Sequence, residues 1–195
     1  MGGLSFLIVD DDTLVRRALR QMLNRYGACI EAPSRATAER ELSKEWDGFL
    51  IDVRLGDGSG LDFLANLRGR GIAAPAVVLS GAMDHETVNS AATLDARFVS
   101  KPCGSSELAP FVAEAVRRKT HDRAHAICEQ ARQRWNLSSR EVEILELAVR
   151  GKTRADYIEE TGIAHNTFKT HVRRLLQKTD YTNLSLLAID LLNQH

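Results

Sequence analysis

The chain has 195 residues, a formal net charge of zero, 44% hydrophobic and 27% charged residues, and four prolines. This composition is typical of a globular protein with one large or two small domains. No run approaches the roughly 20 apolar residues that span a membrane, and the N-terminal residues lack the features of a signal peptide, so we expect a cytoplasmic protein without membrane association. The three cysteines are widely spaced, which favours free thiols in a reducing compartment.

The zero net charge conceals an uneven distribution. Residues 1–116 contain 12 basic and 16 acidic residues, residues 117–135 contain six and two, and residues 136–195 contain eight of each. A basic balance over the whole chain, the usual sign of nucleic-acid binding, is therefore excluded. Any surface that binds nucleic acid must be local.

Residues 1–119 alternate between strand and helix patterns. Short apolar runs predict strands at 5–9, 28–32, 48–52, 76–80 and 97–100, and helical patterns occupy 13–26, 35–45, 59–69, 85–94 and 105–119. In the first helix, Leu14, Ala18 and Leu19 belong to the apolar stripe, whereas Arg16 falls away from it. Five alternating units predict an α/β fold, a doubly wound five-stranded parallel sheet with helices on both faces.

Polar side chains follow four of these strands. Asp10 and Asp11 follow the first strand, Asp52 ends the third, Ser80 ends the fourth, and Lys101 follows the fifth. Because the carboxyl ends of parallel strands open onto the same edge of a sheet, we expect these groups to converge. Such a set of carboxylates, hydroxyl and ammonium is suited to magnesium-assisted phosphoryl chemistry.

Each group has an expected role in that chemistry. Asp10, Asp11 and Asp52 offer the hard oxygen ligands that Mg²⁺ prefers, and the backbone carbonyl of Arg54 can add another. Asp52 is the expected nucleophile, because it is the single acid that ends a central strand. Lys101 and Ser80 can contact phosphoryl oxygens.

A simpler interpretation exists for each residue taken alone. An Asp after a strand is more often a turn residue or a helix cap, and we expect Asp12 to cap the first helix. A lone Ser after a strand is usually a turn residue. The joint order and strand context favour the phosphoryl site.

Residues 4–119 resemble the receiver domain of bacterial two-component response regulators, a flavodoxin-like or CheY-like fold. The matching motifs are Val9-Asp10-Asp11, Asp52-Val53-Arg54-Leu55 with Gly58-Ser59-Gly60, Ser80-Gly81-Ala82 and Lys101-Pro102. The resemblance implies Mg²⁺ bound at Asp10 and Asp11, phosphate transfer from a sensor histidine kinase to Asp52, phosphate contact by Lys101, and a switch formed by Ser80 and Phe98. Gly56 departs from the proline that is common in the family.

The remaining residues are helical in pattern. From Arg117 to Arg134 the pattern is basic, polar and compatible with a helix, which predicts that the last helix of the first domain runs into a helical linker at 120–135. Residues 136–195 predict a small all-α domain of four helices. Ser138 or Ser139, followed by acidic residues, marks the start of the first helix. Ala155 and Ile158 are expected to face inward from the second helix, and Gly162 turns the chain into a third helix at 165–178, which is a helix-turn-helix arrangement. A fourth helix is predicted at 183–193.

The third helix of this domain is the candidate DNA-binding element. No acidic residue lies between Thr161 and Thr179. Phe168, Val172, Leu175 and Leu176 have the spacing of a core-facing stripe, which leaves a polar and basic outer face suited to double-stranded DNA. The candidate DNA-binding residues are Asn166, Thr167, Lys169, Thr170, Arg173, Arg174 and Lys178. A solvated basic face without a ligand is the simpler alternative.

Residues 137–192 resemble the LuxR-type helix-turn-helix, and the order of the two domains resembles the NarL/FixJ class of response regulators. The motifs are Leu137-Ser138-Ser139-Arg140-Glu141-Val142, Gly151-Lys152-Thr153, and Gly162-Ile163 followed by Thr167-Phe168-Lys169-Thr170-His171. Ala164 stands where the family usually has a capping serine. The resemblance implies a phosphorylation-controlled transcriptional regulator that forms a homodimer when phosphorylated, and not an enzyme.

Two other functions remain open at this stage. The first is an atypical receiver that binds DNA without phosphate control, against which the intact acids and lysine argue. The second, less favoured, is a phosphatase of the haloacid-dehalogenase type, in which Asp10 would be the nucleophile and Asp12 the second acid of the motif.

Overall fold

The computed structural model describes residues 3–82 and 84–194, and the ends of the predicted domains at residues 1, 2 and 195 lie outside the described residues. The contacts divide the chain into two units, of which the first ends at Lys119 and the second begins at Thr120. Each unit has its own hydrophobic core.

The first unit contains the predicted five-stranded parallel sheet, which is confirmed. Its strands are β1 (Leu4–Val9), β2 (Gly27–Ala32), β3 (Gly48–Asp52), β6 (Ala76–Ser80) and β7 (Ala96–Ser100), in the order β2-β1-β3-β6-β7. The two-residue strands β4 (Arg54–Leu55) and β5 (Gly58–Ser59) form a small antiparallel ribbon after β3. The helices are α1 (Thr13–Leu23), α2 (Arg35–Arg40), α3 (Gly60–Gly69) and α4 (His85–Thr93), and α5 (Ser105–Trp135) begins in the first unit and ends in the second.

Side chains that alternate along each strand build a core on each face of the sheet. In β1, Leu7 and Val9 pack on the face covered by α2, α3 and α4, whereas Phe6 and Ile8 pack on the face covered by α1 and α5. Because successive side chains in a strand point to opposite faces, a strand covered on both faces needs apolar residues at consecutive positions. The continuous apolar runs of the sequence have this origin.

The first helix packs differently from its predicted stripe. Leu14 is 74% exposed and Ala18 is exposed, whereas Arg16 is buried. The guanidinium of Arg16 donates to the carbonyl of Asp10 at 2.6 Å and to the hydroxyl of Thr13 at 3.0 Å. Its Nε lies 3.4 Å from Oε2 of Glu31, and this ion pair compensates the buried charge. The prediction that Arg16 lies away from the core was therefore wrong.

The loop after β3 is tied to the start of α2. The carboxylate of Asp57 accepts hydrogen bonds from the backbone N–H groups of Arg35 and Ala36, both at 2.9 Å. These two bonds lower the pKa of Asp57. The same loop leads into Gly60, where an added Cβ would lie 1.9 Å from the carbonyl oxygen of Asp52, so only glycine fits there without a shift of the backbone.

The second unit is helical in its described residues. Beside the C-terminal half of α5, it contains α6 (Ser139–Val149), α7 (Arg154–Thr161), α8 (His165–Thr179) and α9 (Leu184–Asn193). Ser138 caps α6 in a reciprocal pair with Glu141, which confirms the predicted helix start. Gly162 ends α7 with a φ of 66°, in the left-handed region that glycine enters without strain.

Residues 120–135, which the sequence predicts as a helical linker, form the C-terminal half of α5. Ala124, Ile127, Cys128 and Ala131 from this segment are buried in the core of the second unit. Although α5 has 31 residues, neither it nor another helix in the described part of the chain has an apolar stretch that could cross a bilayer.

The inward face of α7 also differs from the prediction. Ala155 is exposed and Ile158 is half-buried, whereas Tyr157 is 1% exposed. The ring of Tyr157 lies 5.2 Å from that of Phe168 in α8, measured between centroids. This aromatic contact sets the rotation of α7 and turns Ala155 towards solvent.

Candidate functional site

Three carboxylates meet at the carboxyl end of the sheet. Because β1 and β3 are neighbours, with Val9 opposite Ile51, Asp10 and Asp52 leave adjacent strands at the same height. One ligand oxygen each from Asp10, Asp11 and Asp52 lies within 4.8 Å of the other two. We call these three residues the acid pocket. They fit a hard cation, which prefers several carboxylate oxygens at one point.

The backbone and neighbouring side chains orient Asp10. One of its carboxylate oxygens accepts a hydrogen bond from the backbone N–H of Asp12 at 2.9 Å, and its carbonyl accepts the bond from Arg16. Asp10 is fully buried, whereas Asp11 is exposed and faces the loop at Gly56. Asp12 caps α1 through the backbone N–H of Leu14, as predicted, and does not belong to the acid pocket.

Lys101 bridges two of the carboxylates. Its Nζ lies 2.6 Å from Oδ2 of Asp10 and 2.9 Å from Oδ1 of Asp52. The backbone N–H of Lys101 donates to the carbonyl of Ser80 at 2.7 Å, which anchors the residue beside the end of β6. The ammonium therefore neutralises part of the charge of two buried acids.

The pKa values of Asp52 and Lys101 reflect this environment. Burial raises the pKa of Asp52 above its ordinary value, and the negative charges of Asp10 and Asp11 act in the same direction, against the lowering effect of Lys101. Burial disfavours the charged form of Lys101, but its hydrogen bonds to Asp10 and Asp52 prevail and raise its pKa. Both shifts are consistent with a pocket rich in negative charge.

Ser80 and Phe98 occupy neighbouring strands close to the acid pocket. Leu79 pairs with Asp52, so Ser80 is the residue that follows it at the edge of the sheet. The hydroxyl oxygen of Ser80 accepts a hydrogen bond from the backbone N–H of Ala82 at 3.2 Å, which leaves its proton available to donate. Phe98 is half-buried and packs against the core cluster that includes Ala91 of α4. The predicted ligand role of the Arg54 carbonyl stays a prediction.

The second unit carries a basic face on α8. Asn166, Thr167, Lys169, Arg173 and Arg174 are exposed, while Phe168 and Leu175 are buried on the opposite side, as their spacing predicts. Among the described residues, Lys169, Arg173 and Arg174 have no ion-pair partner. Thr170 is half-buried, and its hydroxyl donates to the carbonyl of Asn166. No side chain caps the start of α8, because Ala164 stands at the cap position.

Lys178 differs from the other candidate DNA-binding residues. Its Nζ lies 2.8 Å from Oε2 of Glu141 and donates to the carbonyl of Asn136 at 2.9 Å. The Glu141 side chain is only 3% exposed, so Lys178 partners a buried carboxylate within the second unit. This contact gives Lys178 a structural role that its position in a basic sequence segment does not indicate.

Comparison with known families assigns both units. Residues 6–113 match the response regulator receiver domain, and residues 135–189 match the luxR family of bacterial regulatory proteins. The chain belongs to the response regulators. Its second unit is a LuxR-type DNA-binding domain, and this domain order is that of the NarL/FixJ class.

Similar proteins include other bacterial regulatory proteins. The response regulator protein TodT of Pseudomonas putida is 28% identical over 186 residues, which cover 93% of this chain and 82% of TodT. The transcriptional regulatory protein FixJ of Azorhizobium caulinodans is 26% identical over 186 residues, covering 93% and 88%. The acid tolerance regulatory protein ActR of Sinorhizobium medicae is 31% identical over 148 residues, covering 65% and 75%.

Solved structures resemble the receiver fold. A CheY-like receiver domain protein from Methanospirillum hungatei has a TM-score of 0.56 and 19% identity, and covers 60% of this chain and 96% of that protein. A receiver domain protein from Clostridium thermocellum has a TM-score of 0.55 and 21% identity, with coverage of 60% and 96%. At these identities the comparison supports the fold of this response regulator and no residue role.

Sequence reasoning did not anticipate two contacts that charged side chains make around these sites. Arg16 supports the backbone of Asp10, and Glu141 pairs with Lys178. A signal for the second contact exists, because Glu141 is the partner of Ser138 in the predicted helix start. Its pairing with a lysine 37 residues away depends on the packing of α6 against α8.

Because of the contact between Glu141 and Lys178, we expect the stability of the second unit to depend on pH. Burial opposes the charge of Glu141, but the hydrogen bonds from Lys178 and Ser138 prevail and lower its pKa below 4.5. A lowered pKa contributes stability that is present above pH 4.5 and lost as the pH falls through the folded-state value. We expect Lys178→Met to lower the free energy of unfolding of the second unit by about 1–2 kcal/mol at pH 7, and by less as the pH approaches 4.

Thermal melting of both proteins between pH 7 and 4 measures this difference. Lys44→Met is the matched control, because Lys44 pairs with Glu41 at the surface of the first unit and its loss should change little. Equal melting temperatures of Lys178→Met and the wild type at pH 7 would contradict the structural role of Lys178.

Proposed function

We propose that this response regulator accepts a phosphoryl group on Asp52 from a sensor histidine kinase and then binds double-stranded DNA through α8 to control transcription. The observation that carries the proposal is the acid pocket beside Lys101, on the same chain as a LuxR-type domain with an exposed basic helix. The acidic site suits phosphoryl transfer, and the basic helix suits a phosphate backbone.

The residues of the acid pocket fit Mg²⁺. Asp10, Asp11 and Asp52 would hold the ion through carboxylate oxygens, with the carbonyl of Arg54 as the further ligand predicted from sequence. When bound, Mg²⁺ supplies positive charge that offsets repulsion between the acids and the incoming phosphoryl group.

Asp52 acts as the nucleophile in this proposal. An oxygen of its carboxylate attacks the phosphorus of a phosphohistidine, the new P–O bond forms, and the P–N bond breaks. The electron pair of the broken bond stays on the imidazole nitrogen of the kinase, which takes up a proton. Asp52 is suited to this step because it is 7% exposed at the end of β3, so solvent competes little while the carboxylate stays accessible.

Lys101 and Ser80 stabilise the phosphorylated state. The Lys101 ammonium, released from Asp52, pairs with a phosphoryl oxygen, and the Ser80 hydroxyl donates its free proton to another. Movement of Ser80 towards the phosphoryl group leaves room beside α4, which half-buried Phe98 fills by turning inward. The outer surface of α4, β7 and α5 changes as a result.

The output of this switch is a homodimer that binds DNA. Exposed Lys169, Arg173 and Arg174 have the charge to contact phosphates, and Asn166 and Thr167 are placed for base edges. Two copies of α8 related by a two-fold axis would read half-sites about one helical turn of DNA apart. Since its target is chromosomal DNA, the protein acts in the cytoplasm, as a regulator and not as an enzyme.

The phosphatase alternative is less consistent with the acid pocket. It requires Asp10 as a free nucleophile, but Asp10 is fully buried and both of its carboxylate oxygens have hydrogen-bond partners. Asp12, the second acid of that motif, is engaged as the cap of α1.

Phosphorylation with a small phosphodonor tests the acceptor. With Mg²⁺ and acetyl phosphate, the wild-type protein should gain the mass of one phosphoryl group, and Asp52→Ala should gain none because the nucleophile is missing. Asp62→Ala, which removes an exposed acid of α3, is the matched control and should be labelled like the wild type. Intact-protein mass spectrometry measures the labelling. If Asp52→Ala is labelled to the same extent as the wild type, Asp52 is not the acceptor.

We expect the ammonium of Lys101 to compete with Mg²⁺ for the carboxylates of the acid pocket. Because its ammonium occupies oxygens of Asp10 and Asp52, Lys101→Met should bind Mg²⁺ at least about fivefold more tightly, the factor that corresponds to about 1 kcal/mol. The same variant should be phosphorylated more slowly, because a contact to the phosphoryl group is lost. Isothermal titration measures the affinity.

Lys119→Met is the control for this titration, because Lys119 pairs with Asp47 away from the acid pocket. Unchanged or weaker Mg²⁺ binding by Lys101→Met would show that the ammonium does not compete with the ion.

Measurements of DNA affinity test the proposed role of α8 in DNA binding. On a random-sequence duplex, Lys169→Ala should weaken binding and reduce the slope of log affinity against log salt by about 1, since one phosphate contact is lost. Lys44→Ala removes a lysine of the first unit and should leave the slope unchanged. An unchanged affinity of Lys169→Ala in a fluorescence anisotropy titration would contradict the assignment of α8.

A further inference from the structure

Two histidines of α5 face one carboxylate of α6 within the second unit. His121 and His125 lie one helical turn apart, and the Nδ1 atom of each points at a different oxygen of Glu146. The Nδ1 of His121 is 3.4 Å from Oε1, and the Nδ1 of His125 is 3.7 Å from Oε2. No role in phosphoryl transfer or DNA binding accounts for this group.

Each of the two distances is longer than a good hydrogen bond and close to the separation of two ligands of one ion. An N–H···O hydrogen bond is typically about 2.9–3.0 Å long, so both nitrogens lie too far away for a good bond. Two ligands of one tetrahedral Zn²⁺, each about 2.0–2.2 Å from the ion, lie about 3.4 Å from each other. The spacing between each imidazole and the carboxylate is that of neighbouring ligands.

The three side chains are accessible from solvent. The side chains of His121 and His125 are 52% and 59% exposed, and that of Glu146 is 17% exposed. In the described part of the chain, only the acid pocket brings three such ligand atoms within 4.8 Å of one another, so His121, His125 and Glu146 are not yet gathered around one point. Closure of His121, His125 and Glu146 on one ion therefore requires the two exposed rings to turn towards each other, which their exposure permits.

We propose that His121, His125 and Glu146 form a second metal site, which binds a transition-metal dication such as Zn²⁺ with water as the remaining ligand. Two imidazoles and a carboxylate suit Zn²⁺, Ni²⁺ or Cu²⁺, whereas Mg²⁺ prefers oxygen ligands alone. The proposed site is therefore chemically distinct from the acid pocket.

Cys128 lies close to this group but is not assigned to it. It follows His125 by three residues in α5, and its side chain is fully buried in the core of the second unit. Burial, with smaller contributions from Glu146 and Glu129, raises the pKa of its thiol to about 12. Because the thiol is fully buried whereas the two imidazoles face solvent, the solvent-facing side chains provide the ligands.

An ion at this site would join α5 to α6. Since the three ligands meet only in the folded second unit, binding stabilises that unit in proportion to the concentration of the ion. The site thus makes the stability of the DNA-binding domain depend on a transition metal.

A Zn²⁺ titration of the tag-free full-length protein, with Mg²⁺ in excess to fill the acid pocket, tests the proposal. Isothermal titration should detect one Zn²⁺ per chain, and the melting temperature of the second unit should rise with Zn²⁺. His121→Ala combined with His125→Ala, and separately Glu146→Gln, should weaken binding by at least about tenfold, because even the loss of an outer partner commonly costs about that much.

Two controls separate the possible sites. His85→Ala removes an exposed histidine of the first unit, and Asp11→Ala disrupts the acid pocket. Both should bind Zn²⁺ like the wild type. Zn²⁺ binding that persists in the double histidine variant, or that disappears in Asp11→Ala, would overturn the proposal.

Discussion

The ammonium of Lys101 lies between two carboxylates that could not otherwise share so small a space. Asp10 is fully buried and Asp52 nearly so, and a third acid, Asp11, is within a few ångströms. Taking such charges out of water is costly unless each has a partner. Lys101 supplies one positive charge through bonds of 2.6 and 2.9 Å, so the edge of the sheet stays folded around a pocket that attracts further cations. The charge of Lys101 therefore both stabilises the folded first unit and shapes the acid pocket that would bind a metal ion.

The sequence was most informative where the polypeptide geometry left few choices. Each strand of the sheet is covered on both faces, which demands apolar runs, and each polar residue that follows such a run must emerge at the same edge. The convergence of Asp10, Asp52 and Lys101 follows from those two facts. The burial of Arg16 does not, because it depends on partners that only the folded structure brings together: the carbonyl of Asp10, the hydroxyl of Thr13 and the carboxylate of Glu31. A periodicity argument treats every arginine as solvent-facing and cannot detect such a partner.

In the second unit too, sequence patterns did not identify every side chain that is buried. The basic and polar pattern from Arg117 to Arg134 predicted a linker at 120–135. Within it, however, Ala124, Ile127, Cys128 and Ala131 have the spacing of a buried stripe. In α7, a weak pattern predicted that Ala155 faces inward, but the larger ring of Tyr157 is buried in the core instead. Lys169 and Lys178 look alike in sequence, and only the packing of α8 on α6 distinguishes the exposed cation from the one bound to Glu141.

The link between Asp57 and the start of α2 has a consequence for motion within the first unit. With six residues, α2 is too short to persist as an isolated helix, and two of its first N–H groups depend on a carboxylate from the loop that follows the acceptor strand. The loop and the helix should therefore open as one cooperative segment in amide hydrogen exchange. Any rearrangement beside Asp52 that pulls on this loop would loosen a helix that lies on the same face of the sheet as α4 but at the opposite edge from β7.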